Sequence, residues 1–131
     1  MNRIFLFVGA LSACIAVGLG AFGAHGLRGR LEADMLAVFE TGVRYQMYHA
    51  LALVALGLAR RLEPGRLAAA AGGLFIAGSL CFSGSLYLIA LAGARGIGLV
   101  TPAGGLMLLA GWLMLALAAL KSAPAAPPPG G

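Results

Sequence analysis

The stretch FETGVRYQMYHALALVALGLA, residues 39–59, decides the fold because charged and polar side chains run directly into an apolar segment. Glu40, Arg44 and His49 lie within ten residues of one another, and the remainder has the composition of a membrane helix. A hydrocarbon core of about 30 Å requires roughly 20 helical residues. Counting back from the end of the stretch therefore predicts a membrane span over residues 40–59.

Three further apolar runs occupy residues 4–24, 67–93 and 97–120. The chain of 131 residues is 61% hydrophobic and 10% charged, whereas a soluble domain has about 25% charged residues. This composition excludes an ordinary soluble domain. Because the connections are short, consecutive helices should be antiparallel neighbours. The prediction is an all-α, polytopic membrane protein, an antiparallel four-transmembrane-helix bundle over residues 1–121.

The sequence predicts a different structure for each of two segments outside the spans. The helix of the second span should begin early, around Glu32 to Asp34, as an interfacial lead-in that follows a glycine- and arginine-rich turn. The terminal segment SAPAAPPPGG, residues 122–131, is rich in proline and has no apolar periodicity. Such a composition predicts a disordered tail.

The basic residues indicate an orientation in the membrane rather than a nucleic-acid partner, although the sequence pI is near 10.0. Three of them lie on the side opposite the termini: Arg28, Arg30 and Arg95. Five lie on the side of the termini: Arg3, Arg60, Arg61, Arg66 and Lys121. The excess favours both termini in the cytoplasm, and we expect no nucleic-acid binding.

Both cysteines lie deep in apolar runs, and no CxxC spacing is present. We therefore interpret Cys14 and Cys81 as reduced, packed thiols. Residues 11–14, LSAC, resemble a lipoprotein acylation site. However, the apolar run continues beyond Cys14 to Ala24, where such signals normally give way to a polar segment. Lipidation of Cys14 is therefore the less favoured alternative.

All four predicted spans bring polar side chains to the half of the bilayer that is away from the termini. Because lipid cannot satisfy these groups, they should face one another or a wet pocket. Glu40 and Arg44 have the spacing of a helical ion pair. The tyrosines are interpreted as interfacial aromatics, and Trp112 as an aromatic near the opposite interface. The candidate ligand- or partner-binding residues are His25, Glu40, Arg44, Tyr45, Gln46, His49, Ser83, Ser85, Tyr87 and Thr101.

His49 is the deepest titratable group, and three interpretations of it are open: a hydrogen-bonded structural histidine, a ligand or proton site, and a metal site. His25 and His49 supply two metal ligands at most, and neither HxxxH nor ExxH spacing is present, so we predict no metal and no cofactor.

No catalytic triad or carboxylate pair stands out, which predicts a non-enzyme. The segments SGSLY (83–87) and TPAGG (101–105) lack the spacing of phosphate-binding loops.

Four strings carry a family resemblance: GAFGAHGL (20–27), FETGVRYQMYHALAL (39–53), FSGSLYLIAL (82–91) and TPAGGLMLLAGW (101–112). In this order they resemble the uncharacterised bacterial inner-membrane family of domain of unknown function 423, the YgdD/YwdK-like proteins. The resemblance implies a four-helix protein of the inner membrane and no particular activity. The motif residues are His25, Gly42, Tyr45, Gln46, His49, Ser83, Gly84, Ser85, Tyr87, Thr101, Pro102 and Trp112.

The sequence leaves three functions open. The first is a non-enzymatic membrane module that binds an amphiphilic ligand or a partner subunit through the polar cluster. The second is an oligomeric channel or transporter with Glu40, Arg44 and His49 in its outer vestibule. The third is a redox or metal-binding protein that uses His25 and His49. Membrane lipids are the expected partners, together with a homo-oligomer or another membrane protein.

Overall fold

The computed structural model describes residues 2–59 and 65–122, and this part of the chain is helical. The predicted tail beyond Ser122, and Arg60 and Arg61 of the orientation argument, lie outside the described residues. Four long helices are present: α1 (Asn2–Phe22), α2 (Ala33–Leu58), α3 (Arg66–Ala92) and α4 (Val100–Lys121). A π-helical turn, Gly23–Leu27, extends α1, and a 3₁₀ turn, Arg95–Ile97, precedes α4.

Local chemistry explains where these helices begin and end. The early start predicted for the second helix is confirmed, because α2 begins at Ala33 with Asp34 in its first turn. An acidic side chain there is stabilised by the positive end of the helix dipole. The C-terminal end of α3 is capped by Gly93 at φ 64°, a left-handed conformation that glycine adopts without a Cβ clash. Pro102 lies in the first turn of α4, where its missing N–H costs little.

Three of the helical segments in the described part are long and apolar enough to cross a membrane: Arg3–Leu27, Arg66–Ala92 and Arg95–Lys121. The 26-residue α2 is long enough by length alone, since about 20 residues suffice. Its hydropathy is lowered by the charged residues of its first half, Asp34, Glu40 and Arg44. The two charged candidate residues, Glu40 and Arg44, thus lie on the one long helix that is less apolar than the others.

Sequential helices pack most extensively, α1 on α2, α2 on α3 and α3 on α4. Glycines allow close approach of the helices at the α1–α2 and α3–α4 interfaces. A Cβ on Gly9 would lie 2.7 Å from the carbonyl oxygen of Ala50, and one on Gly104 would lie 2.5 Å from the backbone nitrogen of Phe82. Small residues at such positions bring helix backbones together, the usual basis of helix packing in lipid.

The buried stripe of α2 determines which polar side chains enter the interior. Its members alternate at spacings of three and four: Phe39, Gly42, Gln46, His49, Leu53 and Leu56. This is the seam that a helix presents to packed neighbours. Gln46 and His49 occupy two consecutive positions of the seam and are 9% and 4% exposed. The fold therefore places an amide and an imidazole between helices and not toward lipid.

Candidate functional site

The site is centred on His49, which bonds to both its own helix and α4. The ring nitrogen Nδ1 lies 2.7 Å from the carbonyl oxygen of Tyr45, one turn earlier in α2. The indole Nε1–H of Trp112 donates to Nε2 of His49 at 3.0 Å. The rings of His49, Trp112 and Phe75 also pack together, with the Phe75 and Trp112 centroids 4.9 Å apart.

These two hydrogen bonds define the tautomer of His49. A carbonyl oxygen only accepts and an indole N–H only donates, so Nδ1 carries the proton and Nε2 offers the lone pair. The imidazole is therefore neutral in this arrangement. Both ring nitrogens of His49 are therefore engaged in hydrogen bonds in this conformation, one within α2 and one to α4.

A second set of bonds joins α1, α2 and α3 through Gln46. The Gln46 Nε2 donates to the backbone carbonyl of Ser12 at 3.0 Å. Its Oε1 accepts a bond from the Tyr87 hydroxyl at 2.6 Å. The Tyr87 ring packs against Phe39, with centroids 5.1 Å apart. Gln46 thus uses both ends of its amide between two neighbouring helices.

The hydroxyl groups of α3 complete the network. Ser83 Oγ donates to the carbonyl oxygen of Gly42 at 2.7 Å. Ser85 Oγ donates to the Phe82 carbonyl at 2.9 Å and also bonds to the hydroxyl of Thr101. Because a serine hydroxyl has one hydrogen, Thr101 is the donor to Ser85. Polar groups from all four helices are therefore connected pairwise inside the protein.

Two pairs of the ten candidate residues bond directly, Gln46 with Tyr87 and Ser85 with Thr101. His49 and Ser83 are also hydrogen-bonded inside the protein, but to residues outside the candidate set or to backbone. His25 is exposed in the π-helical turn, away from this network. Since Gly23 in that turn lies against Phe39, His25 is separated from the level of His49 by about 15 Å along α2. The two histidines therefore do not converge, and among the described residues no group of three metal-ligating side chains is present.

The predicted ion pair between Glu40 and Arg44 is wrong for the described structure. Both side chains are exposed, and no ion pair joins them. They line a shallow pocket of 360 Å³ beside α1. Tyr45 is also exposed, and its ring lies against those of Tyr48 and Phe82. Solvation of each charge at an exposed position competes with pairing, which is why such pairs contribute little.

Two aromatic residues, Trp112 and Tyr87, have hydrogen-bond partners in the protein interior that were not predicted from the sequence. Trp112 does not serve as an anchor near the opposite interface, because it lies in the middle of α4 and bonds to His49. Tyr87 is half-buried, and its hydroxyl faces Gln46 in the protein interior. The sequence did contain a chemical signal for this contact. A tryptophan N–H within an apolar helix needs an acceptor, and His49 is the deepest titratable group of the predicted spans.

Two grooves flank the network, and we name each by the helices that form its walls. The α1–α3 groove has a volume of 380 Å³, lies over Gln46 and Leu53, and includes Ser79. The Ser79 Oγ is a buried polar atom without a hydrogen-bond partner in the described part of the chain. The α2–α4 groove has a volume of 760 Å³. Its lining is mostly apolar and aromatic: Tyr45, Tyr48, His49, Phe82, Pro102, Gly105, Leu106, Leu108, Leu109 and Trp112.

Comparison with known proteins identifies the chain's relatives. The profile of the family described as "Protein of unknown function (DUF423)" matches residues 19–105. The UPF0382 membrane protein YwdK of Bacillus subtilis is 44% identical over 120 residues, which cover 91% of this chain and 98% of that protein. The chain belongs to the DUF423 family. It is a small membrane protein of a family of unknown function.

Other DUF423 relatives match the chain over nearly the same length as YwdK and are also named UPF0382 membrane proteins. UPF0382 membrane proteins of Staphylococcus saprophyticus and Staphylococcus epidermidis are each 45% identical to this chain. The matched regions cover 91% and 92% of this chain, respectively, and 98% of each relative. No solved structure matches the chain. The residues matched by the DUF423 profile include Gln46, His49 and Thr101, whereas Trp112 lies beyond them.

Proposed function

We propose that this DUF423 protein is a non-enzymatic module of the bacterial inner membrane that holds an amphiphilic molecule in its α2–α4 groove. The proposal includes four antiparallel membrane spans, with α2 crossing over residues 40–59 and both termini in the cytoplasm. The observation that carries this function is a large apolar groove beside hydrogen-bonded polar residues of α2 and α4.

The order of interhelical contacts supports the antiparallel spans. Gly9 of α1 lies against Ala50 and Val54, whereas Gly57 lies against Leu6. Residue numbers that rise along one helix and fall along its neighbour indicate opposite directions. The burial of Gln46 and His49 supports a spanning α2 as well, because polar groups at membrane depth are tolerated when they face other helices.

The chemistry of the groove supports an amphiphile as its occupant. The polar atoms of His49 and Trp112 bond to each other, so the floor of the groove offers mainly apolar and aromatic surface. Tyr45 and Tyr48 are 40% and 51% exposed and pack edge to face. Phenol hydroxyls are suited to the border between lipid headgroups and acyl chains. A volume of 760 Å³ lies within the range of pockets that hold small molecules.

Filling the groove tests this proposal. A Cβ on Gly105 would meet Phe82 only at ordinary contact distances of 3.7 and 3.8 Å, so Gly105→Leu extends into the α2–α4 groove without moving the backbone. Gly84→Leu fills the α1–α3 groove instead, and Gly73→Leu adds the same side chain where nothing lies within 4 Å of its Cβ. The three variants thus introduce a leucine into the α2–α4 groove, into the α1–α3 groove and at an open position outside both grooves.

The measurement is the amount of lipid that copurifies with each variant, quantified by mass spectrometry after exhaustive detergent exchange. We expect Gly105→Leu to lose a bound amphiphile that wild type, Gly84→Leu and Gly73→Leu all retain. The proposal fails if Gly105→Leu retains the same molecules in the same amounts as wild type. Loss in Gly84→Leu alone would assign the ligand to the α1–α3 groove and overturn the assignment made here.

A further inference from the structure

A crevice between the end of α1 and the first half of α2 forms a second, separate pocket. It has a volume of 360 Å³ and is lined by Gly20, Gly23, Phe39, Glu40, Val43 and Arg44. It contains none of the residues that line the α2–α4 groove. Phe39 is fully buried beneath it, and the two glycines leave the α1 wall without side chains.

The pocket carries one negative and one positive side chain one helical turn apart. Glu40 and Arg44 are both exposed and are not paired with each other, and the remaining lining residues are uncharged. Positions i and i+4 of a helix lie about 5–6 Å apart at their Cβ atoms. The pocket therefore presents a carboxylate and a guanidinium to any group that carries the two opposite charges at a similar separation.

The pocket lies between a charged, exposed segment and the apolar body of the protein. Glu40 lies seven residues after the start of α2, which is about 10 Å along the helix. The segment before it is exposed and charged, with Arg28, Arg30, Glu32 and Asp34. Below Arg44 the helix continues into the buried seam around His49. The two charges thus lie where an aqueous end of the protein meets its apolar body.

We propose that this pocket binds the phosphoethanolamine headgroup of a phospholipid. The guanidinium of Arg44 binds the phosphate, to which its planar donors are matched. The carboxylate of Glu40 accepts hydrogen bonds from the primary ammonium group, which two carbons and one oxygen connect to the phosphorus. An anionic glycerol headgroup satisfies Arg44 alone, and a trimethylated choline ammonium has no hydrogen to donate to Glu40. The site therefore selects phosphatidylethanolamine among common membrane lipids.

The test is a competition between lipids on the full-length protein. Purified protein is equilibrated with equimolar phosphatidylethanolamine and phosphatidylglycerol of identical acyl chains, and bound lipid is read by native mass spectrometry. We expect wild type to retain the ethanolamine lipid preferentially. Glu40→Gln should lower the ratio of ethanolamine to glycerol lipid by about threefold, the effect of removing one exposed charge-assisted contact. Arg44→Gln should lower the retention of both lipids.

Matched controls separate the pocket from general surface charge. Glu32→Gln and Arg30→Gln make the same charge changes at exposed positions outside the pocket, and we expect both to keep the wild-type ratio. An unchanged ratio in Glu40→Gln, or an equal change in Glu32→Gln, would overturn the proposal. So would displacement of the lipid by an equal concentration of soluble phosphoethanolamine, because the free headgroup would then be the ligand. Gly105→Leu should leave the ratio unchanged, so this site and the α2–α4 groove succeed or fail independently.

Discussion

Trp112 of α4 donates a hydrogen bond to His49 of α2 over 3.0 Å, joining two helices that are separated in the chain by the whole of α3. The bond uses the lone pair of a neutral imidazole whose other nitrogen is bonded to Tyr45. Both residues also line the α2–α4 groove, so loss of the bond should affect both stability and the environment of the indole.

Replacement of His49 by phenylalanine should weaken the contact between α2 and α4. The variant keeps a ring beside Phe75 and Trp112 but removes the acceptor, which should lower the free energy of unfolding by about 1 kcal/mol. Trp112 is the only tryptophan, so its emission maximum should shift when the indole N–H loses its partner. Tyr48→Phe, at an exposed neighbouring position, is the control and should leave both quantities near wild type. A wild-type emission spectrum in His49→Phe would contradict the assigned bond.

Adjacent glycines of α4 should respond oppositely to alanine. A Cβ on Gly104 would lie 2.5 Å from the Phe82 backbone nitrogen, whereas one on Gly105 meets its nearest atom at 3.7 Å. Overpacking against a backbone atom should make Gly104→Ala less stable by about 1–3 kcal/mol. Gly105→Ala should be neutral or more stable by up to about 1 kcal/mol, because alanine is the better helix former. Chemical denaturation in detergent measures both, and equal stabilities would be inconsistent with the α3–α4 packing.

The bond between Tyr87 and Gln46 should appear as a coupling energy. Tyr87→Phe keeps the ring but leaves the buried Gln46 Oε1 without its donor, at a cost of about 1 kcal/mol. In a Gln46→Leu background the same change should cost less, because no acceptor is left unpaired. A double-mutant cycle on unfolding free energies should therefore give a coupling of about 0.6 kcal/mol, the average for such bonds in membranes. Additive effects would mean that the two groups do not bond.

The proposed topology can be read by labelling single cysteines. In a background with Cys14→Ala and Cys81→Ala, a cysteine at Arg30 should react with a membrane-impermeant maleimide added to intact spheroplasts. One at Ser122 should react only after permeabilisation, because both termini are expected in the cytoplasm. Reaction in intact spheroplasts at position 122 but not at position 30 would reverse the orientation, and reaction at both positions would contradict an even number of spans.

Much of the fold could be predicted because its signals are local. Long apolar runs predict helices, and the acidic start of the second one was expected within a residue or two of Ala33. Deep polar residues in lipid require partners, which indicated that Gln46, His49 and Ser83 would be engaged within the protein. The partners themselves are non-local: Ser12 is 34 residues from Gln46, and Trp112 is 63 residues from His49.

Helix rotation explains why those pairs were not found from the sequence. In water the polar face of a helix shows which side is exposed, but α4 is apolar all round, and lipid is as apolar as the protein core. Nothing in its pattern therefore shows that Trp112 faces α2. The predicted ion pair between Glu40 and Arg44 was wrong for a different reason. The i, i+4 spacing permits an ion pair, but it does not favour pairing over solvation of two exposed charges.

The order of packing along the chain bears on biogenesis. The extensive interfaces all join helices that are consecutive in the chain, so each interface can form once the second of its two helices has been synthesised. The bond from the Trp112 indole to the His49 imidazole must wait for α4, as must the α3–α4 interface and the bond between Ser85 and Thr101. A chain truncated before α4 would therefore lack both the bond between α2 and α4 and the helix that covers α3.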